Sequence, residues 1–190
     1  ANISCPNLEA DGKAFAMHSD LTETIMRRLR AATSKPLWAK LTPNVGDIAE
    51  IARAAEAGGA DGLVVANAIL GMSIDTDTMR PTLGSIMGGL SGPAVKPIAL
   101  RMTYQCANAV AIPIIGCGGI ASARDVVEFL LAGASAVQVG TITFQHPTAM
   151  AAIIDELEQW CDVRGIKCLS DLTGAVKDGE LSTDQNEAVR

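Results

Sequence analysis

Aromatic side chains are scarce in this sequence, making up 3% of the 190 residues, whereas 48% of the residues are hydrophobic. Alanine, valine, isoleucine and leucine must therefore fill the interior. The chain is long enough for one sizeable core. This composition is typical of an α/β protein in which helices pack closely on a sheet.

Blocks of basic residues and long apolar runs are also missing. The formal net charge is −6 and the sequence has no basic block, which argues against nucleic acid as the main partner. No apolar run reaches the roughly 18 residues of a membrane-spanning helix, so we expect no membrane association.

The five cysteines show no CxxC spacing; they are Cys5, Cys106, Cys117, Cys161 and Cys168. An odd number of cysteines without a framework predicts reduced thiols in a cytoplasmic protein. The spacing also argues against zinc or iron–sulfur ligation by this chain.

Two apolar runs that end in glycine organise the sequence: Ile112–Gly119 and Ala136–Thr141. A helical pattern over Ser122–Ala132 lies between them, which predicts a βαβ unit. Gly118 and Gly119 lack a Cβ and would let the backbone approach a ligand closely.

The start of the intervening helix predicts a phosphate site. Ser122 and Asp125 have capping-box spacing, and free N–H groups at such a helix start can hold a phosphate. Gly140 and Thr141 would add an N–H and a hydroxyl, and Gly92 before the next predicted helix start is a third candidate. The alternative is that these glycines only make tight turns.

Polar residues occupy other predicted strand ends. Cys5 lies between Asn2 and Asn7 and is either an inert core thiol or part of a polar site. Lys40, in an apolar strand, either extends its ammonium to solvent or faces an anionic cofactor. Asn67 either caps a turn or faces a ligand.

Five strand–helix units are predicted in order, which favours a (β/α)₈ barrel of which residues 1–178 supply about strands 4–8. The first three units are then absent from this chain, and 179–190 is a polar tail. Leu70–Leu90 is predicted to be a lid, a binding loop or short hairpins. Helices are predicted over Asp20–Ala32 (with Ser19 or Asp20 as N-cap), Gly46–Gly58, Ala94–Val110, Ser122–Ala132 and Pro147–Cys161.

Six motifs occur together in this order: NISCPN, WAKLTPN, ANAILGM, GGLSGPAVKP, GCGGI and AGASAVQVGT. As a set, they resemble the catalytic FMN subunit of the class 1B, NAD-linked, dihydroorotate dehydrogenases over nearly the whole chain. The GGLSGPAVKP stretch favours class 1B over the fumarate-linked class 1A.

The resemblance implies an FMN-containing TIM barrel that oxidises dihydroorotate to orotate in pyrimidine biosynthesis. Cys5 would be the catalytic base. Asn2, Asn7 and Asn67 would bind the substrate, together with position 68, where Ala68 replaces the family's usual serine or threonine. The residues that would bind FMN are Asn2, Lys40, Ala66, Gly92, Gly118, Gly119, Gly140 and Thr141.

The resemblance also implies a homodimer and a partner subunit that carries FAD and a [2Fe–2S] cluster and passes electrons to NAD⁺. Because the family's first three βα units carry further flavin and substrate contacts, we expect this chain alone to be an incomplete enzyme. Two alternatives remain open: another FMN barrel, such as dihydropyrimidine dehydrogenase or dihydrouridine synthase, and a non-catalytic phosphate-binding barrel fragment.

Overall fold

The computed structural model describes residues 1–4, 9–10 and 13–177. The predictions for Cys5 and Asn7, and for a polar tail over 179–190, lie outside the described residues.

The centre of the molecule is a parallel sheet whose strands lie side by side in chain order. Its strands are β1 (Trp38–Lys40), β2 (Gly62–Val65), β3 (Ile114–Cys117) and β4 (Ala136–Gln138). The predicted first strand is reduced to a single parallel bridge between Asn2 and Lys40. Parallel neighbours joined through helices confirm the α/β prediction, and the sequential order is that of a barrel wall.

Five α-helices lie within the described residues, and all five predicted helices form. They are α1 (Ser19–Ala32), α2 (Ile48–Ala57), α3 (Lys96–Ala107), α4 (Ala123–Leu131) and α5 (Ala149–Arg164). None of the helices in the described ranges is long and apolar enough to cross a membrane.

The helix starts show where local signals succeed and fail. The prediction of Ser19 or Asp20 as the N-cap of α1 was wrong, because His18 holds that position. The Ser19 hydroxyl lies inside the first turn and donates to Glu50 Oε1 at 2.6 Å. Asp47 caps α2, accepting from the N–H groups of Ala49 and Glu50.

Helix α3 begins two residues later than predicted, since a 3₁₀ turn over Pro93–Val95 precedes it. The predicted start of α4 is confirmed: Ser122 and Asp125 form a reciprocal capping box.

Alternation along the strands separates the core from the candidate site. Ala39, Leu63, Val65 and Ile114 are buried in the cluster that packs against the helices. Phe129 of α4 is fully buried in a second cluster and lies directly over Gly116, where any side chain would collide with its ring. The other face of the strands carries Lys40, Cys117 and Gln138, all three of which line a cleft.

The segment that was predicted to be a lid, a loop or hairpins forms two antiparallel hairpin pairs. Ile69–Gly71 pairs with Gly88–Leu90, and between them Ile74–Asp75 pairs with Arg80–Pro81. The hairpin alternative is therefore confirmed. Three residues separate the end of β2 from the start of the outer pair, which lies beside the same cleft.

Candidate functional site

An open cleft with a cavity volume of about 160 Å³ lies at the carboxyl ends of the parallel strands. Nine residues predicted to bind cofactor or substrate line it: Lys40, Ala66, Asn67, Ala68, Gly92, Gly118, Gly119, Gly140 and Thr141. These residues come from five separate segments of the chain. The sheet topology alone brings them together, because parallel strands end at the same edge.

Glycine is required at three of these positions by backbone conformation. Gly92, Gly118 and Gly119 have φ values of 98°, 138° and 76°, which side chains rarely adopt. A Cβ on Gly119 would lie 2.7 Å from the backbone nitrogen of Lys96 and 2.8 Å from the carbonyl oxygen of Gly92. The two glycine loops are therefore in direct backbone contact.

Several N–H groups in these loops have no hydrogen-bond partner among the described residues. Within the described part of the chain, no backbone hydrogen bond uses the N–H of Gly118, Gly119, Gly140 or Thr141. Unpaired N–H groups that converge at helix starts bind anions, since they add to the positive end of the helix dipole. The cradle therefore fits a phosphate group.

A side-chain hydrogen bond joins the first and last of these loops. Thr141 Oγ1 donates to Ser91 Oγ at 2.9 Å, and the Thr141 methyl group would contact a Cβ on Gly92 at 3.5 Å. The predicted Thr141 hydroxyl thus has a protein partner, and Ser91 is a cleft residue that the sequence reasoning did not select.

The wall of the cleft carries a cation and a thiol. Lys40 ends β1 and Cys117 ends β3. Burial raises the pKa of the Cys117 thiol, and the nearby Lys40 ammonium opposes that rise by favouring the thiolate. The prediction that Lys40 faces a ligand is thus consistent with its position, because the side chain lines the cleft rather than the core.

A chain of polar side chains lies between the first strand position and the end of β2. Asn67 Nδ2 donates to Ser4 Oγ at 2.8 Å, and Ser4 Oγ donates to Asn2 Oδ1 at 2.7 Å. The structure thus links the two predicted amides Asn2 and Asn67 through Ser4. Asn2 itself is exposed and lies outside the lining of the cleft.

Asn44 fixes the segment after Asn67. Its side chain donates to Thr42 Oγ1 and to the Ala68 carbonyl, and it accepts from the N–H of Leu70 at 2.8 Å. Asn44 thereby sets the position of Ala68 in the cleft. It belongs to the quoted WAKLTPN motif but was given no role.

Sequence reasoning also passed over Cys117 and Gln138, which line the cleft. Both are the last residues of strands whose following glycines were selected, so their placement at the strand ends was the available signal. No group of three or more His, Cys, Asp or Glu side chains is placed to hold a metal ion in the part of the chain that the structure describes.

Comparison with known proteins places these features in a family. The sequence model of the family described as dihydroorotate dehydrogenase matches residues 1–160. The chain belongs to the dihydroorotate dehydrogenase family. The fold is correspondingly part of a TIM barrel.

The relatives include both NAD-linked and fumarate-linked proteins. The catalytic subunit of dihydroorotate dehydrogenase B (NAD⁺) from Trichlorobacter lovleyi is 51% identical over 93% of this chain and 58% of that protein. Dihydroorotate dehydrogenase A (fumarate) from Lactobacillus helveticus is 49% identical over 93% of this chain and 57% of that protein. The chain thus spans less than two thirds of these relatives.

A solved structure supports the same fold. Dihydroorotate dehydrogenase of Eimeria tenella, crystallised with ferulenol, superposes with a TM-score of 0.73 at 26% identity. The match covers 92% of this chain and 52% of that one. The predicted family and the predicted partial barrel are therefore both confirmed.

Proposed function

We propose that this chain forms the flavin and substrate cleft of an enzyme that oxidises dihydroorotate to orotate with FMN. The observation that carries the proposal is the convergence of glycine loops with unpaired N–H groups, the cation of Lys40 and the amide of Asn67 on one cleft. Family membership favours dihydroorotate over the substrates of the alternative FMN barrels.

The residues fit FMN in two parts. The loops at Gly92, Gly118 and Gly140, with Gly119 and Thr141, would hold the ribityl phosphate through backbone N–H groups. Lys40 and the backbone at Ala66 would lie against the ring, and Asn2 beside Lys40 would contact the same group. When bound, FMN supplies the acceptor for the hydride that leaves C6 of the substrate.

The remaining chemistry falls to side chains of this chain. Cys5 would remove the proton from C5 of dihydroorotate, a role open to a thiol whose pKa is near ambient pH. Asn2, Asn7 and Asn67 would hold the carboxylate and ring amides. Ala68 lacks the hydroxyl usual at that position, which removes one hydrogen bond worth on the order of 1 kcal/mol.

The free edge of the sheet supports the proposal that additional βα units complete the barrel. In the described residues, β4 has a neighbouring strand on one side only, and Ala136 and Gln138 are exposed on it. An unpaired edge of this kind accepts another strand. We propose that additional βα units pair there in the full enzyme. We also propose that a partner with FAD and a [2Fe–2S] cluster passes electrons to NAD⁺, and that the enzyme is cytoplasmic.

Exposed apolar side chains on the hairpins support the proposal of a homodimer. Eight large apolar side chains are exposed there: Leu70, Met72, Ile74, Met79, Leu83, Ile86, Met87 and Leu90. Apolar surface on this scale marks contact sites.

We expect sedimentation to give the mass of a dimer for the wild type and of a monomer for Ile86→Asp. Val163→Asp, which changes an exposed valine on α5 outside the hairpins, should remain dimeric, and a dimeric Ile86→Asp variant would contradict this interface.

The activity is tested by adding dihydroorotate without oxygen to the FMN-loaded full enzyme, with its additional βα units present, and following the visible flavin absorbance. We expect prompt bleaching with dihydroorotate and none with orotate or dihydrouracil. Bleaching by dihydrouracil instead would favour the dihydropyrimidine dehydrogenase alternative. A protein that binds FMN and is not bleached would be a phosphate-binding scaffold, and a protein that binds no FMN would overturn the proposal.

A further inference from the structure

A lysine joins the two helices that start at the glycine loops. Lys96 is the first residue of α3, and its Nζ lies 2.6 Å from Asp125 Oδ1 and 2.8 Å from Glu128 Oε2 on α4. The side chains of Lys96 and Asp125 are only 23% and 14% exposed. Solvent therefore screens this ion pair less than a surface pair.

Asp125 connects the ion pair to the glycine loop. Its Oδ2 accepts from the N–H groups of Ala121 and Ser122, both at 2.9 Å, and from Ser122 Oγ at 3.0 Å. Its Oδ1 accepts from Lys96. One carboxylate thus holds Ala121 and Ser122, two and three residues after Gly119, while it is anchored to α3.

The directions of the pKa shifts of Lys96 and Asp125 agree with a formed ion pair between them. The hydrogen bonds to Asp125 and Glu128 raise the pKa of Lys96. Burial raises the pKa of Asp125, but the hydrogen bonds from Lys96, Ala121 and Ser122 outweigh it and leave that pKa below its usual value. Both groups are therefore charged at neutral pH.

The backbone of Lys96 contacts the other side of the same loop. Its nitrogen and Cβ occupy the space that a side chain on Gly119 would need, at 2.7 and 2.8 Å from the Cβ position. Lys96 therefore contacts the loop directly through its backbone and indirectly through Asp125. Loss of the ion pair would free one of these two attachments.

The positive charge of Lys96 has a second effect, on the binding of the phosphate. Asp125 and Glu128 lie within the first two turns of α4, whose start would face the phosphate, and two carboxylates there oppose the binding of a dianion. The ammonium of Lys96 offsets one of these charges while it holds the loop in place.

We propose that Lys96, acting through Asp125, is the positioning residue that sets the geometry of the phosphate cradle and so the preference for FMN over riboflavin. This inference rests on the proposed function, since it requires that the cradle bind the phosphate of FMN. Lys96 acts on the cradle through Asp125 and the loop backbone.

The test compares two flavins that differ only in the phosphate. The full flavoprotein is stripped of flavin and titrated with FMN and with riboflavin, following flavin fluorescence. We expect the wild type to prefer FMN. Lys96→Met should raise the dissociation constant for FMN about tenfold and leave that for riboflavin within about twofold, because coupling through one buried pair reaches this size.

Two variants control for loss of charge and loss of fold. Lys96→Arg keeps a cation that can reach Asp125 and should recover most of the preference for FMN. Arg27→Met breaks the exposed Arg27–Glu23 ion pair on α1, outside the lining of the cleft, and should leave FMN binding within about threefold of the wild type.

The outcomes separate the inference from the proposed function. A wild type that binds riboflavin as tightly as FMN would overturn the phosphate cradle itself. A wild type that prefers FMN, together with a Lys96→Met variant that keeps the same preference, would overturn the role of Lys96 alone. Equal weakening of both flavins would reduce Lys96 to a structural residue and would also overturn it.

Discussion

Replacing Gly119 by valine should raise the dissociation constant for FMN by about 100-fold or more. Gly119 has a φ of 76°, a conformation that a β-branched residue resists at a cost of roughly 1–3 kcal/mol. The new Cβ would also meet backbone atoms of Lys96 and Gly92, which cannot move aside as a side chain can. The loop must shift, and its N–H groups lose their common direction. Fluorescence titration of the flavin-free protein measures the effect.

Gly46→Val is the matched control for this substitution. A Cβ on Gly46 meets no atom within 4 Å, and the residue precedes the N-cap of α2 rather than the cleft. We expect its FMN affinity to stay within about threefold of the wild type, as for most surface changes. Circular dichroism on both variants shows whether the fold survives. Wild-type affinity in a folded Gly119→Val variant would show that this loop does not hold the phosphate.

The elements that were predicted correctly are those whose signal is local. The apolar run at Ile112–Gly119 contains β3, and the Ser122 capping box forms as its spacing indicates. The start of α1 was missed because Ser19 hydrogen-bonds to Glu50, which is 31 residues away. Local capping signals cannot register a competing long-range partner.

The candidate site likewise contains residues that local sequence signals predicted and long-range contacts that they did not. Gly92, Gly118 and Gly140 were selected because each follows a strand or precedes a helix, and the parallel topology then brings them together. The bond between Asn67 and Ser4 spans 63 residues, and the Lys96–Asp125 pair spans 29. Residue spacing in the sequence predicts neither contact, because only the packing of neighbouring βα units creates them.

Replacing Cys5 by alanine should slow flavin reduction by dihydroorotate about 10²–10⁴-fold, the usual contribution of a general base. FMN affinity should change little, since the predicted phosphate contacts come from other segments. A thiol acts as a base only in its thiolate form. The wild-type rate should therefore rise about tenfold per pH unit below the pKa of the base and then level off, and the alanine variant should lose this dependence. Anaerobic stopped-flow absorbance measures both rates.

Cys117 is the competing candidate for the base, since it also lines the cleft. Burial raises the pKa of its thiol despite the neighbouring Lys40, which leaves it protonated at neutral pH and unable to accept a proton. Cys117→Ala should therefore keep the rate of flavin reduction within about tenfold of the wild type, and Cys168→Ala, which removes an exposed thiol, should match the wild type. A Cys117→Ala variant as slow as that expected for Cys5→Ala, beside a Cys5→Ala variant of nearly normal rate, would transfer the role of base from Cys5 to Cys117.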